Sequence, residues 1–328
     1  MLDHGASNPV YMVRGVTKVY LPARVQANID IDLDIHRGEV FGLFGPNGAG
    51  KTTLVKQMAG LLKPTSGQIR LFGRDVVADP QSVPHFVSYY GQKVLALRAH
   101  TVREVLLHTA VLRGLAVAEA RKVTSELIDR FNLGAIAGRI MLKLSGGQQR
   151  QAALLASLTG HRPVLILDEP TNELDPAVRR KIWDYLWELN QGQGTTIILV
   201  THNVLEAEQV VERVAIIDSG RVVALGTPGE LKAEVDASVR VEVRIKPGVD
   251  ADGLLGSVPG SLRLREGQYR IAARREQADE LLGTVIRLVG LARLDDFRLV
   301  TPSLEDVYLR YTAQSAPVSS WNKGVSGG

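Results

Sequence analysis

The chain has no cysteine, few aromatics and no long apolar run. Without thiols there can be no disulfide, no thiolate metal centre and no cysteine nucleophile; a reducing compartment fits this composition. Aromatics make up only 5% of the 328 residues, and the run of about eighteen apolar residues that a bilayer-spanning helix needs is nowhere present. The opening residues, Met1-Leu2-Asp3-His4-Gly5, lack the basic-then-apolar design of a secretory signal. Neither sign of charge dominates: the net charge is +4 and the basic residues are spread, so no nucleic-acid partner is expected. What remains is an ordinary globular composition, 45% apolar and 23% charged, in a chain long enough for two domains.

The most informative stretch is Gly45-Pro46-Asn47-Gly48-Ala49-Gly50-Lys51-Thr52-Thr53. It follows an apolar run, 40–44, and precedes helical spacing over 54–62. A strand that enters a glycine-rich loop opening a helix is what a phosphate-binding P-loop needs. Glycines bring backbone N–H groups close to phosphate oxygens, and the helix adds its positive dipole end. Lys51 would reach the β- and γ-phosphates and the Thr52 hydroxyl would ligate Mg²⁺. The other reading, a glycine-rich turn that fits by chance, is disfavoured by both flanks.

Upstream, residues 10–19 read as an edge strand. In 27–35, Ala27, Ile29, Ile31, Leu33 and Ile35 alternate with Asn28 and three aspartates, which predicts a half-buried antiparallel strand with an acidic solvent face. Carboxylates along a flat strand are too widely spaced to close a metal shell. Tyr20, between these segments, could stack on an adenine or simply end a strand; the residues alone do not choose.

Beyond the loop, 101–133 is spaced as helix. Leu144-Ser145-Gly146-Gly147-Gln148 opens another helix over 148–158, and a Ser-Gly-Gly at a helix N-terminus is a second anion-binding element. One chain cannot easily aim two helix ends at one triphosphate from opposite sides, which suggests a site shared between two chains. The apolar run 164–167 ends in Asp168-Glu169, acids suited to a metal and to an attacking water at a strand's C-terminal edge. A parallel run, 197–201, ends at His202, placing an otherwise unremarked histidine at the same edge.

In this order the motifs closely resemble the ATP-binding cassette (ABC) ATPases: the loop 45–53, Gln92 as Q-loop glutamine, the LSGGQ signature 144–148, the acidic strand, the D-loop 172–175 and the switch His202. Tyr20 then matches the family's adenine-stacking aromatic. The resemblance spans about 10–232, with Glu173 standing where a small residue is common. It implies a mechanism in which two copies pair head to tail. Each ATP would lie between one copy's P-loop and the other's Ser145, Gly146, Gly147 and Gln148. Glu169, His202, Lys51 and Gln92 would be catalytic, and Thr52, Gln92 and Asp168 would hold Mg²⁺.

Past residue 236 the order β-α-β-β-α-β emerges, followed by a helix capped by Ser303. No catalytic constellation occurs there, so a structural or dimer-stabilising module is expected. The run 302–309 resembles the ending of export-type ABC ATPases of the daunorubicin-resistance kind, although methionine-importer ATPases also carry a small ferredoxin-like domain. The expected fold class is therefore α/β: a P-loop NTPase ABC cassette with mixed sheet core, antiparallel β subdomain and helical subdomain, then a small α+β ferredoxin-like domain. The expected boundaries are 1–235, with the helical subdomain at about 95–160, then 236–312 and a disordered tail 313–328. Trp321 in that tail is either a docking residue or incidental.

Three functions follow from the resemblance. The first is the ATPase of an exporter, seated at the cytoplasmic face of the membrane on a separate transmembrane permease; the second is an importer ATPase with a regulatory domain. The third is a soluble, non-transport ABC ATPase. A single P-loop, a single signature and a short helical insertion count against the third.

Overall fold

A computed structural model of the chain describes residues 9–91, 98–235, 238–249, 251–256, 258–274 and 277–313. Gln92, Trp321 and the tail from 314 onward lie outside the described residues. The chain divides into two compact units, the first closing at Thr227 and the second opening at Pro228.

The first unit begins with β1 (Tyr11–Tyr20), β2 (Val25–Ile35), β3 (Val40–Phe44), α1 (Lys51–Met58), β4 (Ser66–Leu71) and β5 (Arg74–Asp75). Next come α2 (Val83–Phe86), β6 (Val87–Tyr90), α3 (Val102–Leu112), α4 (Val117–Arg130) and α5 (Gly146–Leu158). It ends with β7 (Val164–Asp168), α6 (Pro176–Gln193), β8 (Thr196–Val200), α7 (Val204–Ala207), β9 (Arg213–Asp218) and β10 (Arg221–Gly226).

The apolar runs of β3, β7 and β8 are buried at every residue, because they form the middle of a six-stranded sheet ordered β10-β9-β3-β8-β7-β6. All neighbours in it are parallel except β9 and β10, so the C-terminal ends of β3, β7 and β8 emerge along one edge. A second, antiparallel sheet runs β2-β1-β4-β5. Leu54, Val55 and Met58 of α1 share one core with Ile31, Leu33 and Ile35 of β2 and with Phe41 of β3, which fastens the two sheets together.

Two expectations are corrected here. The first strand is not an edge: β1 lies between β2 and β4, and the acidic residues of β2 cover its polar positions. Asp34 pairs with Arg14 at 2.7 Å and Asp32 accepts from the Gly15 N–H at 2.9 Å. The strict alternation of 27–35 also breaks. Asp30 adopts φ 53°, a left-handed residue that bulges the strand against β1, so Asn28 rather than Ile29 turns inward.

The helical segment splits into α3 and α4, and α3 packs on both α4 and α5. A capping box between Thr101 and Glu104 opens α3. Just past its end, Arg113 donates to the carbonyls of Ser157 and Thr159, both at 2.6 Å, and to Ser88 Oγ at 2.7 Å. The end of α5 is thereby tied to β6.

The second unit comprises α8 (Pro228–Val235), β11 (Ser238–Ile245), α9 (Ala251–Leu255), β12 (Ser261–Arg265), β13 (Gln268–Arg274), α10 (Ala278–Val289), β14 (Leu294–Val300) and α11 (Leu304–Ala313). Its sheet is antiparallel in the order β12-β13-β11-β14, the ferredoxin-like arrangement. Val241, Val243 and Ile271 pack against Leu281, Val285 and Val289 of α10. Ser303 caps α11, accepting from the Asp306 N–H at 3.2 Å. Among the described residues no helix is long and apolar enough to cross a membrane.

Candidate functional site

The loop between β3 and α1 is shaped by its neighbours. A Cβ on Gly45 would meet the Ile217 carbonyl at 2.1 Å, and one on Gly50 would meet the Ala27 carbonyl at 2.0 Å, so neither position admits a side chain. Gly50, at φ 105°, is the N-cap of α1; it offers no side-chain cap, and the first turn holds no acid. The leading N–H groups of α1 therefore point at the loop's concave side without a side-chain acceptor of their own helix. Lys51 is buried, and its Nζ donates to the Gly45 and Pro46 carbonyls at 2.7 and 2.9 Å. Burial lowers its pKa, opposed by the nearby Glu169 and Asp168 carboxylates.

Two buried amides brace the loop from behind. Asn28 Nδ2 donates to the Gly50 carbonyl at 3.1 Å, and Gln57 Nε2 donates to Asn28 Oδ1 at 2.8 Å. The Gly220 N–H donates to the Ala49 carbonyl at 3.0 Å, and the Ile29 N–H to the Gly220 carbonyl at 2.8 Å, so the hairpin of β9 and β10 and the strand β2 clasp the loop together.

The acids arrive from β7. Thr52 Oγ1 donates to Asp168 Oδ2 at 2.9 Å. The Tyr89 side chain, next to last on β6, is close enough to feel the same carboxylate; burial first and that carboxylate second push the pKa of its hydroxyl upward. Glu169 takes φ 54°, turning its buried side chain back towards β8 while its N–H keeps the Val200 carbonyl at 2.8 Å. There Glu169 Oε2 accepts from Thr201 Oγ1 at 3.1 Å, and Oε1 lies 2.7 Å from His202 Nδ1 and 3.1 Å from the His202 N–H.

Lys51, Thr52, Glu169, Asn172 and His202 line a cavity of about 500 Å³, the size of a small-molecule site. One wall offers N–H groups and an ammonium for an anion; the facing wall holds a carboxylate hydrogen-bonded to an imidazole, able to accept a proton from water. The hydroxyl of Thr52 and the carboxylate of Asp168 are hard oxygen donors, a set that a small divalent cation fits.

Tyr20 does not line the cavity, but its hydroxyl lies 3.4 Å from Thr53 Oγ1, and Thr53 does line it. Ser145, Gly146, Gly147 and Gln148 do not reach the cavity of their own chain. The helix they open begins two residues earlier than its spacing suggests, at Gly146, with Ser145 as N-cap and a capping box formed with Gln148. Gln92 lies outside the described residues. Asn28, Gln57, Tyr89 and Arg150 also belong to the site or its supports, and sequence reasoning missed them. Only the isolated Asn at the start of the acidic alternation was a visible signal, and it reads as solvent-facing until the bulge is known.

Comparison with known proteins agrees with this geometry. The family model described as ABC transporter matches residues 29–172. The chain is 36% identical over 326 residues to the daunorubicin/doxorubicin resistance ATP-binding protein of Streptomyces peucetius, covering 92% of each. It is also 36% identical to the methionine import ATP-binding protein of Caulobacter vibrioides, but over 220 residues and 66% of each chain. A dimeric ATP-binding cassette solved in a post-hydrolysis state with ADP and phosphate superposes with a TM-score of 0.62 at 26% identity, covering 66% of this chain and 98% of that one. The chain belongs to the ABC transporter family, as an ATP-binding, ATP-hydrolysing subunit related along nearly its whole length to the daunorubicin-resistance proteins.

Proposed function

We propose that this chain powers export of a drug-like, lipid-like or polysaccharide-like substrate through a separate membrane-spanning permease, docked at the cytoplasmic face. The observation that carries the reading is Glu169, held by His202 and Thr201 on the wall of the cavity facing Lys51. In this reading Lys51 and the N–H groups of 45–53 bind the phosphates of ATP, and Tyr20 stacks on the adenine. Thr52, Asp168 and Gln92 hold Mg²⁺, whose charge would neutralise the phosphate oxygens. Glu169 takes the proton of the attacking water, and His202 orients that water and the γ-phosphate.

Two copies close head to tail, so that Ser145, Gly146, Gly147 and Gln148 of one complete the site of the other. Their absence from their own chain's cavity supports this. Relatedness favours export over import: the resistance protein matches along 92% of the chain, the importer along 66%. The test uses inverted membrane vesicles that carry the chain with its co-purified multispanning partner. ATP-dependent accumulation of daunorubicin, abolished by Glu169→Gln, is the expected result; accumulation in right-side-out vesicles loaded with ATP would overturn export.

A further inference from the structure

Arg150 lies on the first turn and a half of α5, beyond the signature, yet it lines the cavity of its own chain together with Lys51, Glu169 and His202. Its guanidinium is held there by the D-loop. Nε lies 3.0 Å from Glu173 Oε2, and Nη2 donates to Oε1 at 3.2 Å, a two-pronged grip. The backbones are equally close, since a Cβ on Gly147 would stand 3.1 Å from the Glu173 carbonyl. Glu173 has φ 62°, a left-handed conformation that is unfavourable for a residue bearing a side chain and open to glycine. A side chain is therefore disfavoured at this position unless it contributes something, and what this one does is pair with Arg150.

The grip is weak enough to exchange. The Glu173 side chain is 64% exposed, and an ion pair in that setting is largely screened by solvent and contributes little. A triphosphate beside a buried ammonium offers a guanidinium a multiply charged acceptor in a drier place. One more group nearby is unspent. The Tyr90 hydroxyl is buried without a hydrogen-bond partner, and it feels both Arg150 and Glu173 electrostatically. It is a donor that the Glu173 carboxylate can accept from once Arg150 leaves.

We propose that Arg150 is a phosphate-binding residue of its own chain's nucleotide site, contacting the terminal phosphate of ATP, and that Glu173 competes with that phosphate for its guanidinium. The exchange links nucleotide occupancy to the D-loop within one chain. This rests on the nucleotide reading above and adds a residue outside the loop and the acids.

The test is equilibrium binding of ATP and of ADP to the full chain, without divalent metal so that no turnover occurs, at a concentration where sedimentation shows monomer. Arg150→Gln is expected to weaken ATP about 10- to 100-fold, the effect of losing one charge-assisted hydrogen bond. ADP should weaken about threefold or less, and Arg150→Lys should fall between. Glu173→Gln should leave ATP binding unchanged or tighten it. Equal losses for ATP and ADP in Arg150→Gln, no loss at all, or weaker ATP binding in Glu173→Gln would each overturn the proposal, the last by making the pair a structural brace. Lys51→Ala serves as the control. If it too leaves ATP binding intact, the nucleotide reading itself fails; if only Arg150→Gln is silent, the inference alone fails.

Discussion

Two helix N-termini in this chain, those of α1 and α5, both carry glycines, α1 just before its first turn and α5 within it, and are finished in opposite ways. That of α1 has a left-handed glycine for an N-cap and no side chain closing it. That of α5 is closed by a capping box, with Ser145 Oγ accepting from the Gln148 N–H at 3.4 Å and Gln148 Oε1 accepting from the Ser145 N–H at 3.2 Å. The first leaves its donors to an external anion; the second largely satisfies itself. The first is also braced from three sides, by Asn28, by Gly220 and by Lys51 lying along the loop, whereas the second does not enter the cavity of its own chain. The two helix ends thus differ in local hydrogen bonding within a single copy of the chain.

The comparison can be broken at several strengths. The largest effect belongs to the acid that shares the cavity with the N-terminus of α1. Glu169→Gln should slow phosphate release by roughly 10²–10⁴-fold, the usual contribution of a positioned base, while ATP affinity stays within about threefold. Wild-type turnover in that variant would remove Glu169 from the chemistry.

If the loop at α1 is the primary wall, Lys51→Ala should weaken ATP by about 10- to 100-fold in direct binding measurements, and an unchanged affinity would mean it is not. Ser145→Ala tests the other wall. Loss of the cap should lower stability by about 1 kcal/mol in urea titrations and cut hydrolysis, with monomer ATP affinity unaltered. Weakened monomer binding would show that the Ser145 end of α5, and not only Arg150 further along it, acts within its own chain.

A smaller change is expected from the rim. Tyr20→Ala should weaken ATP by about 1 kcal/mol, roughly fivefold, and Tyr20→Phe should not, because stacking uses the ring. Least of all, Asp34→Ala should shift stability by about 0.5 kcal/mol or less, since its pair with Arg14 is exposed and lies away from both walls. A large effect there would mean that the acidic face of β2 does more than cover β1.

Much of the site was legible because its residues sit at fixed offsets from chain features that sequence reveals. The apolar runs 40–44, 164–167 and 197–200 suit strands buried on both faces, and the carboxyl ends of parallel strands share an edge. That places Lys51, Asp168, Glu169 and His202 within reach of one another without any coordinates. The second unit was legible for a related reason, the alternation of β11 and the strong stripe of α10.

The misreadings have physical causes. The first strand looked like an edge because its polar residues suggested solvent, when in fact the aspartates of β2 serve as their partners. Asn28 looked solvent-facing because one left-handed residue, Asp30, shifts the strand's faces, and no period-two pattern reports such a bulge.

By itself, then, the sequence determined the phosphate loop, the two acids, the histidine and the signature, because each depends on residue types held a few positions apart on one strand, turn or helix. Tertiary structure decided the rest. It turned Asn28 inward to brace Gly50 and set the signature helix so that Arg150, and not Ser145, faces its own chain's cavity. It also coupled that arginine to Glu173 of the D-loop. Such placements depend on contacts between segments distant in the chain, Asn28 with Gly50 and Arg150 with Glu173, and local pattern carries no information about which distant segments meet.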